Sequence, residues 1–367
     1  MKIIQILPEL NSGGVELCVM EIAACLVRNG HTSIVISNGG RLAKELEASG
    51  SRHICMPVHA KRLSSLLQIP RLRSLFRQEK PDIIHPQSRM PAWLSYLAWK
   101  SMPETRKPSL VTTVHGFHSV NPYSAIMTKG ENVICVSRSI KEHILNDYKN
   151  TVPNKLHVIY GGVDTAFHHP NYQPPTDWLN QWHKQNPHLV GKKTLLLPGR
   201  ITRLKGHQEF LSLIYGLLKN GVPVHGIIVG DTHPKKRSYL AELQILTKQL
   251  QLEDHVSFLG HRSDLRNIIA VTDLSFSLSR QPEAFGRTVL EAVALGQPVI
   301  GHSIGGVNEI LSACYPRGLV APNDHETLVK TTCEILDNRS IPSKIPVEFT
   351  LPAMSAATLA LYESRCK

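Results

Sequence analysis

Short β-type runs alternate with helical patterns along the chain, and they do so in two series. In the first series strands are predicted near 2–7, 32–37, 53–58, 82–85, 110–115, 132–137 and 156–160, with helices between them such as 15–28, 91–100 and 139–147. The second series has strands near 194–198, 223–229, 255–259, 274–277 and 298–301, with helices near 206–219, 237–251, 264–270, 287–295, 306–312 and 324–337. Strict β-α alternation admits few folds, because parallel neighbours need a helical crossover, which covers the faces of the sheet. The two series are separated by the Pro-, Asn- and His-rich passage 168–193, predicted to be a linker region with one short helix. The last stretch, TLPAMSAATLALYESRCK, reads as a lone amphipathic helix with no strand after it.

These series imply an α/β protein with two Rossmann-like parallel-sheet domains. Its 367 residues suit two cores better than one. The expected division is 1–165 plus 350–367 for the first domain and 166–349 for the second. Ligands of such sheets bind at the carboxyl ends of the strands, so two domains can present those ends to one cleft.

Several chemistries are excluded. No G-x-G-x-x-G follows a strand, no G-x-x-x-x-G-K-[ST] is present, and neither H-E-x-x-H nor D-x-D occurs. Seven scattered cysteines form no C-x-x-C pair, which points to a reducing cytoplasm and no zinc site. No apolar run reaches the roughly 20 residues of a membrane span, and the amino terminus does not read as a signal peptide. The net charge is +12, and its excess is concentrated in the first half. Part of it lies in KRLSSLLQIPRLRSLFRQEK, 61–80. That segment reads either as an amphipathic helix facing its own domain or as a contact for an anionic membrane or acidic acceptor. Pro70 argues against one unbroken helix there. A basic nucleic-acid module is disfavoured, because the basic residues are not interleaved with aromatics and no such motif is present.

The most informative stretch is EAFGRTVLE, 283–291. Glu283 falls in a loop after a strand, and a helix starts near Gly286 or Arg287 and ends at Gly296. The first-turn N–H groups around Phe285, Gly286 and Arg287, with the helix dipole, are expected to suit an anion. Glu291 lies roughly 7.5 Å further along the axis, at a distance that suits a sugar diol beyond a diphosphate. The alternative is a plain helix with an acid near its positive end and an exposed Glu291. In LLLPGRITRLKGH, Arg200 and Lys205 follow a strand, where two cations can replace a metal on a diphosphate. An ordinary solvated basic loop is the alternative. Gly13 and Gly14 link the first strand to the first helix, and His115 ends the strand VTTVH, where a structural role is as open as a catalytic one.

Taken together, these residues resemble glycosyltransferase family 4, the retaining GT-B enzymes. The segments that carry the likeness are GGVE, VICVSRSIKEHI, IYGGVDTAFHHP, GRITRLKGH, IIVGD and PEAFGRTVLEAVALGQPVIGHSIGGVNEI, in that order. IIHPQSRMPAWLSYLAW, VTTVHG and MSAATLALYES are more narrowly similar to lipopolysaccharide-core enzymes. The resemblance implies a GT-B fold whose C-terminal helix crosses back to the first domain. It implies a retaining, hexosyl-type transfer from a nucleotide sugar, UDP-sugar favoured, to a glycan or lipid-linked acceptor, with no cofactor and no metal. Arg200 and Lys205 would hold the diphosphate and Glu291 the ribose. Glu283, with Phe285, Gly286, Arg287 and Thr288, would hold the sugar and phosphates. Gly13 and Gly14 would close over the donor, and His115 would lie near the transferred sugar. Pro86-Gln87 departs from the small or basic residues of the closer relatives. The setting implied is the cytoplasmic face of an anionic inner membrane, with no nucleic-acid partner. A nucleotide-sugar epimerase of the same architecture is the alternative enzyme.

Overall fold

The structure, a computed structural model, describes residues 1–11, 13–232 and 237–365. The chain divides into two compact units, Met1–Gly162 with Leu351–Lys367, and Val163–Thr350. The first unit is built on β1 (Lys2–Ile6), β2 (Thr32–Ser37), β3 (Arg52–Cys55), β4 (Ile83–Pro86), β5 (Ser109–Val114), β6 (Asn132–Cys135) and β7 (Leu156–Val158). They form one sheet in the order β3-β2-β1-β4-β5-β6-β7. Every pairing is parallel, with Ile4 opposite Ile34 on one side and Ile84 on the other. A central parallel strand is covered on both faces, so its sequence is a continuous apolar run. One side of the sheet buries Ile4, Ile34 and Ile84 with Leu72, Phe76 and Leu94. The other buries Ile3, Ile83 and Val111 with Ile22 and Leu26.

The second unit holds β8 (Lys193–Pro198), β9 (Val224–Val229), β10 (Val256–Gly260), β11 (Leu274–Ser277), β12 (Val299–His302) and β13 (Leu319–Val320). Their order is β10-β9-β8-β11-β12-β13, again all parallel. Both sheets are therefore Rossmann-like, as the alternation predicts. In each the chain order reverses beside the first strand, between β1 and β4 and between β8 and β11. A ligand crevice opens at the carboxyl ends of such a pair. The two-residue β13 is a strand that the sequence reading does not contain, because two residues carry no periodicity.

The final helix, Leu351–Glu363, belongs to the first unit. Its Met354, Leu361 and Tyr362 pack against Ile3, Ile22 and Leu26. The buried stripe also contains Ser355 and Thr358, and the Thr358 hydroxyl donates to the Met354 carbonyl at 2.8 Å.

The passage 168–193 holds the one short helix predicted for it. It packs on the second unit. Its helix, Thr176–Gln185, stacks Trp178 on Trp182 at 5.2 Å, and Trp182 is buried. The Trp178 indole donates to Asp264 at 2.6 Å. Two tryptophans on one helix face at i and i+4 supply enough apolar area to dock it, which outweighs the flanking Pro and Asn signals.

Candidate functional site

In the second unit the carboxyl ends of β8, β11 and β12 carry three loops, each leading to a helix. Gly206 caps the helix His207–Lys219 in a left-handed conformation, with φ 74°. A Cβ there would lie 2.0 Å from the Leu278 carbonyl oxygen, so only glycine lets the Lys205 loop sit against the end of β11. Lys205 is thereby brought to Glu283, and its Nζ donates to Oε1 at 2.7 Å. The hydroxyls of Ser279 and Ser277 donate to the same oxygen, the latter at 3.3 Å. Burial pushes the Glu283 carboxyl up, but the Lys205 ammonium and the two hydroxyls outweigh it, and the net shift is downward. Glu283 is thus a fixed carboxylate with 20% of its side chain exposed.

The backbone after Glu283 is laced to the third loop. Gly306 N–H donates to the Glu283 carbonyl at 2.8 Å, and Glu283 bridges Gly305. A Cβ on Gly306 would lie 2.3 Å from the Phe285 carbonyl oxygen, so the Gly-Gly pair is what allows the two loops to touch. Gly286 then caps the helix Arg287–Ala294, whose first turn includes Thr288. The helix closes with Gly296 N–H on the Val293 carbonyl and Gln297 N–H on the Ala292 carbonyl, a Schellman ending one residue past Leu295. Arg287 Nε donates to Glu291 Oε1 at 3.0 Å, so one oxygen of that carboxylate is already engaged. Arg200 is exposed and makes no ion pair among the described residues. Arg203, three residues on, is committed to Glu242 through both carboxylate oxygens at 2.6 Å.

Sequence reasoning missed three contributors here. Ser277 and Ser279 are two residues apart, and that spacing puts them on one face of the strand end, a signal the apolar run around them obscures. His302 ends β12 and is buried. Its Nδ1 faces the Ser279 carbonyl at 3.1 Å and its Nε2 faces Glu209 at 3.2 Å. Both neighbours are acceptors, an arrangement that favours the doubly protonated ring, in which both nitrogens donate. Burial alone lowers its pKa; Glu209 and the Ser279 carbonyl reverse that, and the net shift is upward despite the Arg280 charge. His302 thereby anchors the residue whose hydroxyl holds Glu283.

The first unit carries the remaining candidates. Gly13 precedes the helix Gly14–Arg28, and a Cβ on Gly14 would meet open space. At the ends of β1, β4 and β5 runs a chain of buried amides and imidazoles. His115 Nε2 donates to Gln87 Oε1 at 2.7 Å, and Gln87 Nε2 donates to Gln5 Oε1 at 3.1 Å. His85 lies between Tyr362, at 2.6 Å from Nδ1, and Thr113, at 2.7 Å from Nε2. Burial and the charge of neighbouring histidines push His85 down to about 3 and His115 to about 4. His115 is therefore a neutral ring whose tautomer is set by Gln87. A cavity of about 900 Å³ lies at the opposite end of this sheet, beside Pro81, Asp82 and Ser109, away from these groups.

Lys205, Glu283, Gly286 and the Gly305-Gly306 pair thus converge at the β8/β11 switch point. Gly13, Gly14 and His115 belong to the switch point of the other unit. What the second-unit site offers is a helix start flanked by a lysine and a fixed carboxylate, with the exposed Arg200 on the loop after β8, groups that suit an anion bearing hydroxyls.

Comparison with known proteins gives the same order along the chain. The model of Glycosyltransferase Family 4 matches residues 12–167, and the model of glycosyl transferases group 1 matches residues 180–346. One component of human phosphatidylinositol N-acetylglucosaminyltransferase is 27% identical over 362 residues, covering 94% of this chain and 68% of that protein. The crystal structure of a glycosyltransferase from Rickettsia africae superimposes with a TM-score of 0.84 and 29% identity over 100% of this chain and 98% of its own. Anabaena HepE in complex with UDP-glucose gives a TM-score of 0.76 at 21% identity, covering 100% of this chain and 96% of that one, a likeness of fold.

Proposed function

The chain belongs to the family 4, group 1 glycosyltransferases, with one family model on each unit, and we propose that it moves a sugar from a nucleoside diphosphate, UDP favoured, to a lipid or lipid-linked glycan with retention. The observation that carries this reading is the Lys205–Glu283 pair beside the start of the Arg287–Ala294 helix. Arg200, Lys205 and the N–H groups at Phe285, Gly286, Arg287 and Thr288 receive the diphosphate. Glu283 accepts hydroxyls of the transferred sugar, and Glu291 shares its carboxylate between Arg287 and the ribose diol. Gly13, Gly14 and neutral His115 are the first unit's candidate ligand-contacting residues on this reading.

As the bond from the anomeric carbon to phosphate breaks, the electron pair goes to the phosphate oxygen. The acceptor hydroxyl attacks the same face and its proton passes to that oxygen, so the products are glycoside and nucleoside diphosphate. The two cations and the helix start stabilise the leaving charge, which is worth most in a site from which water is excluded. On this reading no metal is needed, and EDTA leaves the rate unchanged. HepE, whose crystal contains UDP-glucose, supports the UDP choice, and the phosphatidylinositol enzyme supports a lipid-borne acceptor. The likeness of the 83–99 segment to lipopolysaccharide-core enzymes supports a cell-surface glycolipid pathway at the cytoplasmic face of the inner membrane. No helix among the described residues is long and apolar enough to cross a membrane.

Thermal-shift titration with UDP-, GDP-, ADP- and CMP-sugars identifies the donor, with the UDP-sugar expected to stabilise most. NMR of the product then reads the anomeric configuration; inversion would sink the mechanism. Turnover of a nucleotide sugar into its epimer without acceptor would favour the epimerase instead.

A further inference from the structure

The basic segment 61–80 takes no part in the site above, and its structure is unlike a single amphipathic helix. Leu63–Leu67 form a 3-10 turn and Gln68–Glu79 an α-helix. The α-helix buries Leu72 and Phe76 in the core of the first unit. The turn does the reverse: Leu63 is 88% exposed, Leu67 67% and Leu66 49%. Three exposed leucines within five residues form an apolar patch that the chain itself leaves uncovered.

The turn borders a groove of about 850 Å³. Met90, Trp93 and Leu97 of the Arg89–Lys100 helix line it, with Pro122 and Tyr123 also lining it. Trp93 already spends its indole N–H on the Tyr123 carbonyl at 2.9 Å, so what it offers a ligand is an apolar ring face. Three cations line the same groove and, among the described residues, no carboxylate does. Lys61 Nζ stands 4.2 Å from the centroid of the Tyr123 ring, and the Arg89 guanidinium 5.4 Å from it. Arg62 is exposed.

Each half of this lining narrows the occupant. An inorganic anion makes no use of the leucines and Trp93, and an uncharged hydrocarbon makes no use of Lys61, Arg62 and Arg89. A molecule that satisfies both has an anionic head and an apolar body. We propose that the groove docks a phosphate-bearing lipid of a bilayer, with the phosphate at Lys61, Arg62 and Arg89 and the hydrocarbon along Leu63, Leu66 and Trp93. This rests on the reading that the acceptor is borne by a lipid, and it names the face that meets it.

The test is sedimentation of the full chain with vesicles of phosphatidylcholine alone and of phosphatidylcholine mixed with phosphatidic acid. Two variants are compared, Leu63→Glu with Leu66→Glu, and Lys61→Glu with Arg62→Glu. All four positions are exposed, and unfolding curves matching wild type verify the fold. Wild type is expected to pellet with the anionic vesicles and not the neutral ones, and each variant to lose about tenfold or more in binding. Soluble short-chain phosphatidic acid should compete and inorganic phosphate should not. Equal pelleting with neutral vesicles, wild-type binding by either variant, or equal competition by inorganic phosphate would each overturn the proposal. UDP affinity is measured on the same samples and should not change. Loss of vesicle binding with UDP binding intact removes only the groove, whereas wild-type protein that pellets but does not bind UDP removes only the donor reading.

Discussion

Replacing Lys205 by Met tests whether the cation and carboxylate at the β8/β11 switch point form one unit. The two side chains are 30% and 20% exposed and meet at 2.7 Å. Exposed ion pairs contribute about 0.2–1 kcal/mol, and stranding one member of a buried pair costs about 3–5 kcal/mol. Partial exposure puts this pair between the two, at about 2 kcal/mol, or roughly 4–8 °C in the unfolding midpoint of a unit this size. The effect also has a pH signature. In the wild type, Glu283 is held below its ordinary value, so its contribution is present above that value and is lost as pH falls. Without Lys205, the upward push of burial meets only the two serine hydroxyls. Glu283 then titrates higher, and the variant's deficit grows as pH rises from the ordinary carboxylate range to neutrality. Urea unfolding of Lys205→Met, Glu283→Gln and the double variant at pH 5 and pH 8 closes the cycle. The double variant should be more stable than Lys205→Met, because a neutral amide does not require the cation. Sugar transfer should fall about 10²–10³-fold in Lys205→Met, the scale for losing one stabiliser of a leaving charge. A coupling below about 0.5 kcal/mol would mean an ordinary surface contact. Full activity of the Lys205→Ala, Glu283→Ala double variant would refute the site itself.

Three further outcomes follow from the same structure. His302 is held above its ordinary pKa, so its contribution is complete below about 6.5 and is lost as pH rises through its folded value; His302→Asn should flatten the decline that begins above pH 6.5 in unfolding experiments. His85 is pushed down to about 3, so its contribution has the opposite sign. Its own share of the fall in stability as pH drops below about 6.5 is at most about 1.4 kcal/mol per unit, added to that of the other lowered histidines such as His115, and His85→Gln should remove that share alone. Gly306→Ala forces a Cβ to 2.3 Å from the Phe285 carbonyl oxygen, and should cost about 1–3 kcal/mol of stability together with UDP-sugar affinity measured by calorimetry.

The parts of this molecule that repeat were legible in its sequence. Parallel strands are short continuous apolar runs, and twelve of them stand out between helical patterns, so the two-sheet architecture was readable before any coordinates. Lys205, Glu283 and Gly286 were legible because each sits at an ordered place, just after a strand or just before a helix. What escaped was whatever depends on two distant segments meeting. Nothing near His302 shows that Glu209, 93 positions earlier, faces its ring. The Gly305-Gly306 pair could be seen, but its contact with Phe285 could not. The 168–193 passage has the composition of a connection, and its contacts with Asn267 and Asp264 of the second unit could not be seen in it. Nor does anything near Gln87 show that its side chain is the partner that fixes the tautomer of His115, 28 positions later.

The return of the last helix to the first unit bears on how the chain is made. Tyr362 is fully buried and supplies the hydrogen-bond partner of His85 Nδ1, 277 positions upstream. The first unit therefore emerges from the ribosome lacking part of its core, and the whole second unit is synthesised before the missing piece arrives. Val163–Thr350 is contiguous and can fold during that interval, since domains generally fold as units during synthesis. The order of completion is thus the reverse of the order of translation. The seven-stranded sheet is begun before the second unit and sealed after it, and meanwhile His85 waits for a partner encoded 277 positions downstream.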